Sequence, residues 1–170
     1  AYLDLAKRHL DREEFDEAAE VLVRALPHAS DAALRAKVYS RLGAAQANSG
    51  KHEKAITSFT EALALEENEI DYVSRGMTYL RLDPPDRSRA AADFDAALEV
   101  NPDNPMALFL RASSYAQQAE LAETDRRRAV ELLSRLIDVY PAEGISRLPL
   151  SAAYGARGEL QEETSPAQAA

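Results

Sequence analysis

The sequence predicts an all-α protein built from repeated helical hairpins, and three observations support this prediction. Hydrophobic residues make up 46% of the 170 positions and there are only 6 Gly, while Ala and Leu, which favour helix, are common. Apolar residues recur at spacings of three and four, as in residues 55–63 and 90–98, rather than alternating as they do in strands. These two segments, AITSFTEAL and AAADFDAAL, are near copies separated by 35 residues (90 − 55).

The repeat continues in both directions along the chain. Related helical segments occupy residues 18–26 and 129–137. Each of the later three segments follows another apolar stretch that contains a small residue, namely Gly43, Gly76 or Ala112. A small side chain lets two helices approach closely, so we expect the two helices of a hairpin to touch at these positions.

This period and this pattern resemble the tetratricopeptide repeat, a helix-turn-helix unit of about 34 residues. The third repeat carries the whole pattern of aromatic, small and closing residues, which are Tyr72, Gly76, Tyr79, Ala90, Phe94, Ala97 and Pro102. The resemblance implies an all-α fold, a right-handed α-solenoid of antiparallel hairpins. The predicted repeats span residues of about 1–30, 31–68, 69–104 and 105–143, with a partial fifth at 144–163 and a disordered tail or linker at 164–170.

The other repeats depart from the pattern in identifiable ways. The first lacks the second Tyr and the Pro, and the second has Gln46 and Glu67 in their places. Two prolines in the third turn are predicted to break the helix, because proline lacks the backbone donor. The insert at 118–128 is rich in helix formers, so the first helix of the fourth repeat is predicted to extend. Residues 148–154 and 159–163 predict two short helices in the fifth.

In such an array each hairpin buries its apolar face against the next, and the first helices line a concave groove. Projecting those helices at about 100° per residue, with the inward positions taken from the family's geometry, gives the candidate peptide-binding residues. They are Lys37, Ser40, Arg41, Ala44, Asn48, Val73, Met77, Arg81, Phe109, Ser113 and Gln117.

The predicted groove changes from basic and polar to apolar along its length. This favours a partner segment with an acidic or carboxylate end near Lys37 and Arg41 and with apolar anchors near Val73, Met77 and Phe109. Two alternatives stay open: the apolar residues pack within the array, and the two cations are ordinary solvated charges. The carboxylate clamp of co-chaperones resembles the Lys37 and Arg41 pair, but Asp4 stands where that clamp needs Asn and would repel a carboxylate.

The composition and the motifs exclude several classes of function. A formal net charge of −9 argues against a phosphate-binding surface and therefore against nucleic acid. There is no Cys, and His9, His28 and His52 fall on different predicted elements, so no metal site is expected. No motif pairs a nucleophile with a base. We therefore expect neither catalysis nor a cofactor.

The sequence thus predicts a non-catalytic scaffold for protein–protein interaction that binds a peptide or helix of a partner. The alternative is a regulatory or oligomerisation domain of a larger enzyme or signalling protein, which the start at Ala1 leaves open. Self-association through the partial repeat, at Leu148, Leu150 and Tyr154, is a third hypothesis. No apolar run reaches the roughly 20 residues that span a bilayer. We therefore predict a soluble protein that does not insert into a membrane. We expect it in the cytoplasm, with other compartments left open.

Overall fold

The computed structural model describes residues 1–116, 123–139 and 150–162. These form two compact units, Ala1–Ala96 and Ala97–Ala170. The helices of the described residues are α1 (Tyr2–Asp11), α2 (Phe15–Ala25), α3 (Ala32–Asn48), α4 (His52–Leu65), α5 (Glu69–Leu80), α6 (Arg87–Val100), α7 (Pro105–Ala116), α8 (Glu123–Val139) and α9 (Leu150–Glu162), with a 3₁₀ turn at Leu26–His28. No strand occurs in these ranges, and no helix in them is long and apolar enough to cross a membrane.

Short polar side chains fix where several helices begin. Asp31 accepts a hydrogen bond from the backbone N–H of Leu34 at 2.8 Å, and Asn68 accepts one from Ile70 at 2.8 Å. These N-caps satisfy donors that the first turn of a helix leaves without a partner. Gly50 ends the α3–α4 turn with φ of 77°, a conformation that favours glycine. The cap residues therefore set the register of α3 and α5.

In the first unit, α2 packs on α1 and α3, and α4 packs on α3 and α5. A Cβ atom added at Gly43 would lie 2.8 Å from the Phe59 ring, and one at Gly76 would lie 2.6 Å from the Phe94 ring. The prediction that hairpin helices touch at these glycines is confirmed.

The residues of the repeat signature form the cores. At most 5% of the residue surface is exposed at Ala18, Ala25, Ala55, Phe59, Ala62, Ala90, Phe94, Ala97, Ala129, Leu133 and Leu136. In the second repeat, where the signature Tyr is replaced by Gln46, the buried hydroxyl of Ser58 donates to the Gln46 side-chain oxygen at 2.7 Å. A polar pair therefore replaces an aromatic contact without leaving buried groups unsatisfied.

The turn between α5 and α6 contains both prolines of the third repeat. Helix α5 ends at Leu80 and α6 begins at Arg87, so the prediction that Pro84 and Pro85 interrupt the helix is confirmed. Asp86 caps α6, accepting a hydrogen bond from the backbone of Arg89 at 3.0 Å. The break reflects the missing donor and the steric clash that proline brings to a helix.

The second unit contains α7, α8 and α9, and two details of the sequence prediction are wrong here. Residues 123–128 belong to the start of α8, so this part of the insert does not extend the preceding helix; residues 117–122 lie outside the described ranges. Helix α9 is continuous rather than two short helices, because Gly155 and Gly158 lower helix propensity without breaking a helix and Ala153 anchors it in the core.

The structure describes the residues of the C-terminal predictions in part or not at all. The segment 164–170 and Leu148 lie outside the described ranges, and nothing is described for the Leu150 side chain. Tyr154, on α9, is 45% exposed. Self-association through this end of the chain stays a prediction.

Candidate functional site

Helices α1, α3 and α5 together form what we call the first-helix face of the first unit. The Ser40 hydroxyl on α3 donates to the Asp71 carboxylate on α5, with 2.6 Å between Oγ and Oδ1. On the other side of α3, an Arg41 Nη1 lies 3.5 Å from the backbone oxygen of Leu3 in α1. Side-chain contacts thus connect α3 to both neighbouring first helices. This face has two cavities, and the Ser40–Asp71 bond lies in the first of them.

The first cavity, which we call the Asp71 cavity, has a volume of about 470 Å³. Its lining residues come from the first half of α3, the α4–α5 connection and the first turn of α5, and they are Ala33, Leu34, Ala36, Lys37, Ser40, Glu66, Asn68 and Asp71. Apolar side chains of α3 form one wall, whereas the polar groups converge near Asp71. A cavity with apolar walls and a few convergent polar groups is typical of a binding site.

Asp71 is the deepest ionisable group of this cavity, with 4% of its surface exposed. Burial raises the pKa of its carboxyl above the ordinary value, the hydrogen bond from Ser40 lowers that pKa, and the nearby charge of Glu66 raises it. Ser40 is the one hydrogen-bond donor that the described part of the chain gives to this carboxylate. Asp71 therefore carries a buried negative charge without a cationic partner among those residues.

The second cavity, the Met77 cavity, is smaller at about 130 Å³. It lies between the second halves of α3 and α5 and is lined by Ala44, Ala47, Asn48, Phe59, Ser74, Met77, Thr78 and Arg81. The small side chains of α3 leave room opposite Met77, which is half-buried. Thr78 donates its hydroxyl hydrogen to the Ser74 backbone oxygen at 2.7 Å. The cavity therefore has an apolar interior with an exposed Arg81 at its edge.

Six of the eleven sequence-predicted groove residues line these two cavities. Lys37 and Ser40 lie in the Asp71 cavity, and the Met77 cavity contains Ala44, Asn48, Met77 and Arg81. Arg41 contacts α1 instead. The cavities thus bring together predicted residues of the second and third repeats. The sequence did not predict that these residues divide between two separate cavities.

The remaining predicted residues lie elsewhere. Val73 is only 7% exposed, so its prediction as an apolar anchor on the groove surface is wrong: the side chain belongs to the core. In the second unit, Phe109 packs against the hydrophobic core, as the alternative that the apolar residues pack within the array predicts. The Ser113 hydroxyl donates to the Phe109 backbone oxygen at 2.8 Å. Gln117 lies outside the described residues.

Sequence reasoning missed the two carboxylates of the Asp71 cavity. The predicted basic half of the groove contains Lys37, yet the structure places Glu66 and Asp71 in the same cavity. This revises the expectation of an acidic ligand end here, because like charges repel. Ser40 and Asp71 lie 31 residues apart, and nothing in the sequence pairs these two residues.

The opposite side of the first unit provides a comparison surface, the second-helix cavity, of about 560 Å³. It contains Asp16 and the 52% exposed Val23. Lys51 donates to Asp16 across it, with 3.0 Å between Nζ and Oδ1. This exposed pair differs from Asp71, whose charge has no such partner among the described residues.

The histidines bring no metal-ligand geometry to the described part of the molecule. His9 Nδ1 lies 2.6 Å from the Glu14 carboxylate, a contact that closes the turn after α1. Within the described ranges, no group of three or more His, Asp and Glu side chains is arranged to hold a metal ion.

Comparison with known proteins identifies the class of protein that this fold defines. Sequence models of the tetratricopeptide repeat match residues 36–69 and 86–123. A structure of a tetratricopeptide repeat protein from Parabacteroides merdae superimposes with a TM-score of 0.75 at 21% identity, covering 95% of this chain and 59% of that one. The predicted fold class, an all-α solenoid of helical hairpins, is confirmed. The sequence matches and the shared fold together support a tetratricopeptide repeat protein, and this fold is a protein-interaction scaffold.

Individual relatives carry more specific names. The photosystem I assembly protein Ycf3 of Synechococcus sp. (strain WH7803) is 31% identical over 112 residues, which are 65% of this chain and 64% of that protein. The chain therefore spans just under two thirds of that relative's length. The first tetratricopeptide domain of Spaghetti (RPAP3), solved with the HSP90 peptide SRMEEVD, superimposes with a TM-score of 0.61 at 18% identity, covering 77% of this chain and 94% of that one.

Proposed function

We propose that this chain is a non-catalytic interaction module that binds a segment of a partner protein on the first-helix face of its first unit. The observation that carries this proposal is the pair of cavities on that face, the first of which contains the Ser40–Asp71 hydrogen bond. Apart from Phe59, the residues that line them are not the signature residues that hairpin packing uses. The groups are therefore available to a ligand.

Two of the compared proteins support this function. An assembly protein acts through contacts with other proteins, and the curated relative is named for the assembly of photosystem I. The Spaghetti domain holds a peptide, which supports peptide binding by a fold of this kind. The acidic character of that peptide is not part of our proposal, because the Asp71 cavity contains two carboxylates.

Selection from a displayed library of random peptides tests the proposal. Met77→Glu places a charge in the Met77 cavity, and an unpaired charge in an apolar contact is unfavourable. We expect the peptides selected by the wild type to bind this variant at least about tenfold more weakly, since tenfold corresponds to 1.4 kcal/mol. Met77 suits this test better than Val73, whose substitution would disturb the core.

Val23→Glu is the matched control, because it introduces the same charge at an exposed apolar position of the second-helix cavity. It should bind the selected peptides as the wild type does. Circular dichroism establishes that both variants are folded. Equal binding by Met77→Glu and the wild type, or the absence of any selected peptide, would contradict the proposed function.

A further inference from the structure

The Asp71 cavity has features that a general peptide groove does not require. Its described lining contains one cation, Lys37, and two carboxylates, of Glu66 and Asp71. Asp71 is more than nine-tenths buried, and a carboxylate at this depth is costly unless it is paired. The electrostatic potential inside the cavity therefore favours a positively charged group.

The shape of the cavity defines that group further. Ala33, Leu34 and Ala36 provide an apolar wall beside the two oxygen-bearing groups of Ser40 and Asp71. A long cationic side chain matches this arrangement, because its methylene stem covers apolar surface while its charged head remains at polar atoms. A neutral donor would fit the wall but would leave the buried negative charge uncompensated, and a buried charge is costly unless it is paired.

Lys37 does not already fill this role. Its side chain is exposed, and among the described residues none forms an ion pair with it. The Ser40 hydroxyl donates its hydrogen to Asp71, so the oxygen lone pairs of Ser40 remain able to accept. Both groups at the deep end of the cavity thus act as acceptors for an incoming donor, while Lys37 at the edge competes weakly for the same charge.

We infer that the Asp71 cavity binds a Lys or Arg side chain of the partner segment, its cationic head at Asp71 and its stem along Ala33, Leu34 and Ala36. This inference rests on the proposed function and specifies the chemistry of the ligand. The sequence predicted an acidic end of the ligand near Lys37, whereas this inference places a basic side chain there.

The test compares the peptides that the wild type, Asp71→Asn and Asp16→Asn select from the displayed library. We expect a basic residue at one fixed position for the wild type and for Asp16→Asn, which removes the same charge from the other face. A selected peptide, labelled with fluorescein, should bind Asp71→Asn about ten- to a hundredfold more weakly, the range for a hydrogen bond to a charged group. Replacing its basic residue by norleucine should reduce binding to the wild type equally.

A second pair of variants keeps the test independent of any folding defect in Asp71→Asn. Glu66 and Lys37 are both exposed, so Glu66→Gln should weaken binding of the same peptide by about two- to fivefold and Lys37→Met should strengthen it by a similar factor. Peptides that bind without a basic residue, or whose binding none of these changes alters, would overturn the inference while the proposed function stands. Failure of the proposed function itself is recognised by the absence of selected peptides.

Discussion

Asp71 and Asp93 lie at the same depth in the first unit, with 4% and 5% of their surface exposed, yet their partners differ. Asp93 receives two hydrogen bonds from Arg75, at 2.9 Å from Nε and 2.7 Å from Nη2. Arg75 also donates to the Thr60 hydroxyl on α4 at 3.0 Å. In the described part of the chain, the Ser40 hydroxyl is the one donor to Asp71. The Asp93 carboxylate is thus paired within the protein, whereas Asp71, which has no cationic partner among the described residues, is available to a ligand.

The two aspartates therefore illustrate how one helix serves two purposes. Arg75 connects α5 to α4 and α6, and its guanidinium lies 5.8 Å from the centre of the Tyr72 ring. These contacts of Arg75 belong to the framework of the hairpin stack. Asp71 and Met77, on the same helix, border the two cavities instead. We expect substitutions of Arg75 and of these cavity residues to affect different measurements.

Arg75→Met should have the largest effect on stability. It leaves the Asp93 charge buried without a cation, and breaking a buried ion pair in this way costs about 3 kcal/mol or more of the free energy of unfolding. Urea unfolding followed by circular dichroism measures this loss. Lys51→Met is the control, because its pair with Asp16 is exposed and should contribute little. A loss no larger for Arg75→Met than for Lys51→Met would show that the buried Arg75–Asp93 pair does not contribute to the framework as described.

Gly76→Ala should have an intermediate effect, because the added Cβ would lie 2.6 Å from the Phe94 ring and 3.2 Å from the Ala90 backbone oxygen. Overpacking lowers the free energy of unfolding by about 1–3 kcal/mol, and the higher helix propensity of alanine raises it by about 1 kcal/mol. We therefore expect urea unfolding to show a net loss of about 1 kcal/mol. Gly158→Ala on α9 has no described atom within 4 Å of the new Cβ and should show only the gain. Equal effects of both substitutions would contradict the close contact.

The sequence was sufficient to predict the framework because the framework depends on local patterns. The periodic apolar residues and the small residues at Gly43 and Gly76 predicted the hairpins and their contacts, since helix periodicity places such residues on one face. The end of α5 followed from the prolines. The insert before α8 was harder to assign, because helix formers indicate a helix without indicating which of two neighbouring helices contains them.

The candidate site was less predictable because its properties depend on residues far apart in the sequence. A projection at fixed angle placed Val73 on the groove surface, but contacts between helices bury it. In the sequence, Lys37 indicated a basic surface. The structure places Asp71, 34 positions later (71 − 37), in the same cavity, so this surface is not basic. The net charge of a site is the sum of the charged side chains on all the helices that border it. This sum can be made only once it is known which helices pack together.

Asp71→Asn should have the smallest effect on stability and the opposite sign. Burial raises the pKa of Asp71 above 3.8, so the ionised carboxyl is less favourable in the folded than in the unfolded state. This penalty is present above the folded-state pKa and is lost as the pH falls through that pKa towards 3.8 and below. Asparagine carries no charge and its side-chain oxygen still accepts from Ser40. The variant should therefore melt at a higher temperature than the wild type at pH 7.

The difference in melting temperature between the two proteins should decrease as the pH falls and vanish near pH 3, because both then carry an uncharged side chain at this position. Asp16→Asn should behave in the opposite way, since the hydrogen bond from Lys51 lowers the pKa of Asp16 and its ionised form stabilises the fold at pH 7. A gain at Asp71 that does not change with pH would mean that desolvation of the charge is not its cause. If the Asp71 carboxylate serves a ligand rather than the fold, Asp71→Asn should both gain stability and bind basic peptides more weakly.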